Sequence, residues 1–186
     1  MTPRVASEQL VVRALELVRD RPARVADVGT GSGAVAIAIA AAAPRVEVWA
    51  TDTSRCAVAL ARFNVRRHGL DQRVTVRRGD LLEPVPGSFE LIVANLPYLP
   101  RAAATRHPDL EAEPSEAVFA DGDGLEPYRR LLAASAARLT VDGALAIQLH
   151  RQVVVATGHE LAALRTELDD RARVTDALLD PVRAAA

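Results

Sequence analysis

Lysine is missing from this 186-residue chain, so all 23 of its basic residues are arginine. A phosphate-binding loop of the Walker type needs a lysine to reach the phosphates, and a pyridoxal phosphate enzyme needs one for its Schiff base, so both classes are excluded. With the abundant alanine, the arginine bias points to a GC-rich genome. Cysteine is nearly missing too. Cys56 stands alone, which rules out an internal disulfide, argues against a thiolate metal site and fits the cytoplasm. The four histidines, His68, His107, His150 and His159, have no ligand spacing, and no metal is expected. No charged-then-apolar leader is present. The longest uncharged run, Gly29 to Pro44, is too short and glycine-rich to cross a bilayer, so no membrane partner is expected. The net charge of −1 provides no basic field for long nucleic acid, and Arg66-Arg67 and Arg77-Arg78 read as solvated faces.

What the chain does contain is organised around Val25 to Ala43. A short apolar run ends in Asp27, then come Gly29, Gly31 and Gly33, then ten residues rich in Ala, Val and Ile. This reads as a strand, a glycine turn and a buried helix. Glycines at alternate positions allow φ > 0 and let a ligand approach a backbone without Cβ atoms, which makes a nucleotide cradle. The spacing does not choose the nucleotide, since Gly29, Gly31 and Ala34 also satisfy the looser dinucleotide pattern.

The remaining chain alternates helix and strand. Ser7 to Val18 carries Leu10, Val11, Ala14, Leu15 and Val18 on one helical stripe, with Ser7 as the expected N-cap. Strands are predicted at Arg24–Val28, Glu47–Thr51, Val74–Arg78, Phe89–Ala94 and Gly143–Leu149, with a sixth at Ala172–Leu179. Helices are predicted at Ala34–Ala43, from Ser54 to about His68 with Gly69 at the C-cap, from Pro127 to Leu139, and over Gln152–Leu168. Leu96 to Gly124 has little periodicity and contains proline and glycine, which marks a functional loop. The alternation predicts a single α/β domain over 1–186: a doubly wound, mostly parallel sheet with helices on both faces. Such sheets bind ligands beyond the C-terminal ends of their strands, where strand order reverses. Asp27, Asp52, Asp80 and Asn95 close four predicted strands and should converge there. Asp52 follows Gly33 by nineteen residues, the place from which a carboxylate accepts from both hydroxyls of a ribose. Asp80 could accept from the exocyclic amine of an adenine.

Asn95-Leu96-Pro97-Tyr98 resembles the Asn-Pro-Pro-Tyr signature of S-adenosylmethionine-dependent methyltransferases that act on planar nitrogens. Further segments resemble one branch, the HemK/PrmC family of glutamine N5-methyltransferases that modify peptide chain release factors. Pro3-Arg4, Ser7-Glu8 and Leu10-Val11 are similar to its opening motif, and Asp27 to Ala36 to its glycine loop. Glu113-Pro114 with Ala117-Val118, and Gly122-Asp123-Gly124-Leu125 with Tyr128-Arg129, are similar to the two segments that follow its tetrapeptide. The resemblance covers about Pro3 to Leu149.

The resemblance implies a Rossmann-like class I methyltransferase fold, S-adenosylmethionine as cofactor and a release factor as protein substrate. Behind Asp27, the loop Gly29-Thr30-Gly31-Ser32-Gly33 would receive the methionine tail. Asp52 would bind the ribose, Asp80 with Leu81 the adenine, and Asn95 would line the same pocket. The catalytic set would be Asn95, Leu96, Pro97 and Tyr98. An amide nitrogen is a poor nucleophile because its lone pair is delocalised. Two acceptors aimed at its hydrogens, the Asn95 side-chain oxygen and the Leu96 carbonyl, would orient it and favour charge build-up on nitrogen during attack. Pro97 would stiffen the backbone and Tyr98 would cover the planar group.

The chain departs from the family pattern at three places. It begins where the resemblance would have the catalytic domain begin, so the family's helical N-terminal substrate-recognition domain is expected to be absent. Leu96 replaces a proline, which keeps the carbonyl but loosens the backbone, and Gln148 stands where a glutamate is common. Two other readings keep the cofactor: methylation of the amino group of adenine in nucleic acid, and a cofactor-binding module with weakened catalysis. A nicotinamide dehydrogenase leaves Asp80 and the Asn95 tetrapeptide unexplained.

Overall fold

A computed structural model describes residues 5–97, 99–100, 119–120, 122–149 and 172–179. The elements are α1 (Val5–Val18), β1 (Ala23–Val28), α2 (Ala34–Ala42), β2 (Val46–Asp52), α3 (Arg55–Arg67), β3 (Val74–Arg78) and β4 (Phe89–Ala94). They continue with β5 (Leu99–Pro100), β6 (Phe119–Ala120), α4 (Glu126–Ala136), β7 (Leu139–Leu149) and β8 (Ala172–Leu179). Six strands form one sheet in the order β3-β2-β1-β4-β7-β8, each pairing parallel, while β5 and β6 make a separate two-stranded pair. The order reverses between β1 and β4, which opens a crevice at their C-terminal ends.

Both faces of the sheet are covered, which is why its central strands read as apolar runs. Val25, Leu91, Val93, Ala144 and Ala146 pack into one core with Leu10, Ala14 and Val18 of α1, Ile39 of α2 and Ala61 of α3. Their neighbours in sequence point the other way. Ala26, Val28, Ile92, Ala94, Leu145 and Ile147 form a second core with Leu82, Leu96, Leu125, Tyr128 and Leu131. The doubly wound architecture expected from the alternation is therefore the one observed.

Some boundaries differ from expectation. Helix α1 already includes Val5 and Ala6, so Ser7 lies within its first turn and is not its cap. Helix α4 stops at Ala136, and β7 begins at Leu139, four residues before the expected Gly143. Tertiary bonds outweigh helix propensity here. The Arg138 guanidinium donates to the carbonyls of Leu82, Val85 and Gly87, and Phe89 N–H donates to the Arg138 carbonyl at 2.8 Å. Asp142, with φ of 66°, then helps absorb a bulge between the Phe89–Leu139 and Leu91–Ala144 pairs. By contrast α3 starts where expected, with Ser54 as its cap, its side chain accepting from Ala57 N–H. The expected helix at 152–168 and most of the long loop lie outside the described residues.

Candidate active site

The glycine turn leaves β1 with positive φ at all three glycines: 74° at Gly29, 58° at Gly31 and 83° at Gly33. Two of these positions also lack room. A Cβ on Gly33 would lie 3.2 Å from the Ala61 Cβ, where α2 begins against α3. A Cβ on Gly29 would lie 2.7 Å from Cδ2 of Leu96, so Leu96 packs directly on the turn.

The turn is braced from both flanking strands. Gly29 N–H and Thr30 N–H both donate to the Thr51 carbonyl on β2, each at 2.9 Å. Asp27, near the end of β1, is buried. Its Oδ2 accepts from Thr30 Oγ1 at 2.6 Å and from Ala36 N–H at 3.1 Å. Burial pushes the Asp27 carboxyl up to about 6, and the charge of Asp52 pushes the same way, against the opposing pull of those two hydrogen bonds. Asp52 ends β2. One of its oxygens accepts from Gly31 N–H at 2.9 Å and the other from Ser54 N–H at 2.9 Å. An ionised carboxylate has about four lone-pair sites. Asp52 thus ties the turn to the start of α3 and still has sites for further donors.

Asp80 lies just beyond β3 and pairs with Arg130 of α4. Leu81 follows in a left-handed conformation with φ of 44°, its carbonyl accepting from Thr51 Oγ1 at 2.8 Å. Arg130 is a site residue that sequence reasoning missed, because fifty positions separate it from Asp80 and no local spacing joins them. Its neighbour Arg129 makes a two-armed pair with Asp123, at 3.1 and 2.9 Å.

Asn95, Leu96 and Pro97 follow β4 directly. Alternation along β4 puts Asn95 on the face of Leu91 and Val93, the face that also carries Asp27, while Leu96 turns into the opposite core. Ala94 pairs with Ile147, so the next register step brings Asn95 beside Gln148. Gln148 is buried, and among the described residues its Oε1 is the one buried side-chain oxygen or nitrogen without a hydrogen-bond partner. Leu96 is buried as well. Its N–H donates to the Tyr128 hydroxyl at 3.2 Å, and that hydroxyl donates to the Leu96 carbonyl at 2.7 Å. Tyr98 lies outside the described residues, as do Glu113-Pro114 and Ala117-Val118.

Asp27, Asp52, Asp80 and Asn95 therefore gather at the C-terminal ends of adjacent strands, around the glycine turn at the switch point. A doubly wound sheet with this turn after its first strand and Asn-x-Pro after its fourth defines a class I methyltransferase. The family described as Methyltransferase small domain matches residues 6–108. A release factor glutamine methyltransferase of Deinococcus radiodurans is 41% identical, over 93% of this chain and 64% of the relative. Another, of Xylella fastidiosa, is 39% identical over 94% of this chain and 67% of the relative. Among solved structures, a ribosomal protein L11 methylase of Lactobacillus delbrueckii superposes with a TM-score of 0.63 at 26% identity, covering 87% of this chain and 69% of that one. The chain belongs to the HemK/PrmC family of S-adenosylmethionine-dependent methyltransferases. It spans about half to two thirds of the length of the curated relatives it matches. Among the described residues no helix is long and apolar enough to cross a membrane.

Proposed function

We propose that this chain catalyses transfer of the methyl group of S-adenosylmethionine to the side-chain amide nitrogen of a glutamine in a peptide chain release factor. The cofactor supplies an electrophilic methyl on a sulfonium. The residues present suit it. The turn from Gly29 to Gly33 offers a backbone without Cβ atoms for the methionine tail, and the buried Asp27 carboxylate favours that tail's cationic groups. Asp52 retains acceptor sites for ribose hydroxyls, and Asp80 with Leu81 would meet an adenine edge.

What supports the acceptor assignment is that Asn95 and Leu96 follow one another at the tip of β4, with Leu96 packed against Gly29 of the turn. Both hydrogens of a primary amide could be accepted there. The Leu96 carbonyl already takes the Tyr128 hydroxyl, but an sp² oxygen has two lone pairs and can accept a second donor. Acceptance of two hydrogens orients the nitrogen and stabilises the positive charge that grows on it as the methyl arrives, without a strong base. After transfer, the methylated nitrogen loses one proton to solvent or to a nearby acceptor. Release factors and a lone exposed thiol, Cys56, both fit the cytoplasm.

The test is transfer of labelled methyl to a release factor, beside the same factor with its loop glutamine changed and beside an adenine-containing oligonucleotide. Labelling that depends on the glutamine is expected. Equal labelling of both factors rejects glutamine as the acceptor, and labelling of the oligonucleotide alone points to adenine methylation. Cofactor binding without any transfer points to a non-catalytic module.

A further inference from the structure

Where the family's pattern has a ring, this chain has Leu96, which has a free φ and an N–H. A flexible residue is a poor place for a carbonyl that must meet an incoming amide with fixed direction, because a misaligned acceptor loses most of its effect. The structure supplies a substitute for the ring. The Tyr128 side chain is fully buried, and among the described residues its hydroxyl meets three backbone groups. It accepts from Leu96 N–H at 3.2 Å, and it lies within donating distance of the Leu96 carbonyl at 2.7 Å and the Gln148 carbonyl at 3.0 Å. Two of the three contacts grip the same residue from both sides of its Cα, which fixes φ and ψ together. The third anchors the grip to β7.

We propose, on the reading given under Proposed function, that Tyr128 is a positioning residue whose hydroxyl sets the direction of the Leu96 carbonyl for the acceptor amide. Among the described residues two carbonyls lie within reach of the hydroxyl's one proton, the nearer being that of Leu96. When the acceptor N–H arrives, the Leu96 oxygen takes it on its second lone pair and keeps the Tyr128 hydrogen bond that aims it. No bond to the cofactor is involved, so cofactor affinity is independent of this grip.

Tyr128→Phe removes the hydroxyl and keeps the ring that fills the core. Three measurements on the variant test the proposal, with circular dichroism and thermal unfolding first showing that it is folded. The first is amide hydrogen exchange by NMR, which needs no activity. Exchange at Leu96 should rise about tenfold or more when its hydrogen-bond acceptor is removed, and unchanged exchange there overturns the grip. The second is the split between steps. The kcat for methyl transfer should fall roughly tenfold, in line with one hydrogen bond, while the calorimetric Kd for S-adenosylmethionine stays within about twofold. A kcat within twofold of the unmodified chain, or an equal loss in cofactor affinity, overturns the positioning role. The third is coupling. With Leu96→Pro the ring restrains φ and no N–H remains, so adding Tyr128→Phe should lower kcat by less than about threefold; full additivity overturns the proposal. If the unmodified protein binds cofactor and transfers methyl to no release factor, the proposed function fails and the positioning role with it. The Leu96 exchange result still reports whether the grip exists.

Discussion

Asp27 offers a prediction whose sign and size both come from the structure. The side chain is buried, and its carboxyl is raised from the ordinary value of 3.8 to about 6. In the unfolded chain it should titrate near the ordinary value. Between these two values the folded protein therefore holds more proton than the unfolded one, and stability falls as pH rises through that window. At 1.36 kcal/mol per pH unit the loss amounts to about 3 kcal/mol, complete once the pH is well above 6. Asp27→Asn keeps an oxygen that can accept from Thr30 Oγ1 and Ala36 N–H but carries no charge. Its stability relative to the unmodified chain should therefore rise by about 2.5 kcal/mol between pH 4 and pH 7.5, whatever the fixed offset of the substitution. Urea unfolding at half-unit pH intervals, with both proteins measured side by side, reads this difference directly. A flat difference across the window would refute the claim that burial dominates the environment of this carboxylate, and a falling one would mean that its hydrogen bonds outweigh burial. Saturating S-adenosylmethionine, which is cationic, should flatten the dependence by favouring the ionised form.

Asn95→Ala should lower the methyl-transfer rate by about 10²- to 10³-fold, as expected for loss of one preorganised hydrogen bond to the reacting group, with cofactor affinity changing much less; comparable losses in both would assign Asn95 to the cofactor instead. Asp52→Ala should weaken S-adenosylmethionine binding at least about tenfold by calorimetry, since each charge-assisted hydrogen bond is worth about 1.5–3 kcal/mol. Gly29→Ala meets two penalties, roughly 1–2 kcal/mol for a left-handed non-glycine residue and a further ~1–3 kcal/mol for overlap with Leu96. Denaturant unfolding should show their sum, and a loss below about 1 kcal/mol would mean that the turn relaxes freely.

The central sheet was legible because its signals are local. Val74–Arg78 alternates two valines with a threonine before its arginines, Phe89–Ala94 is a largely apolar run, and both, closed by Gly79 and Asn95, fold over those same residues. The glycine turn was equally plain, since positive φ at alternate positions leaves few residue choices. What could not be read were interactions set by the crossover of distant segments. Arg138 bonds to three carbonyls in 82–87, which pulls it out of a helix that its own neighbours favour. The Asp80–Arg130 pair and the Tyr128 hydroxyl belong to the same class. Tyr128 was visible in the sequence as part of a segment similar to the family's, but nothing there says that its hydroxyl ends under Leu96. Conversely, Asp27 and Asp52 were expected as ligand groups, and the structure shows that each first holds the turn itself.

The contact between Leu96 and Gly29 has a consequence for how this protein can change. A missing Cβ on one residue is filled by a terminal methyl of the other, at a separation that leaves no space for an added carbon. The cradle for the donor and the platform for the acceptor thus share a wall one side chain thick. A larger residue at 96 would press on the turn, and a smaller one would leave a void under it. The two halves of the reaction are therefore coupled here: the cost of a Cβ at 29 depends on the side chain at 96, and Gly29→Ala should cost less beside Leu96→Ala than alone.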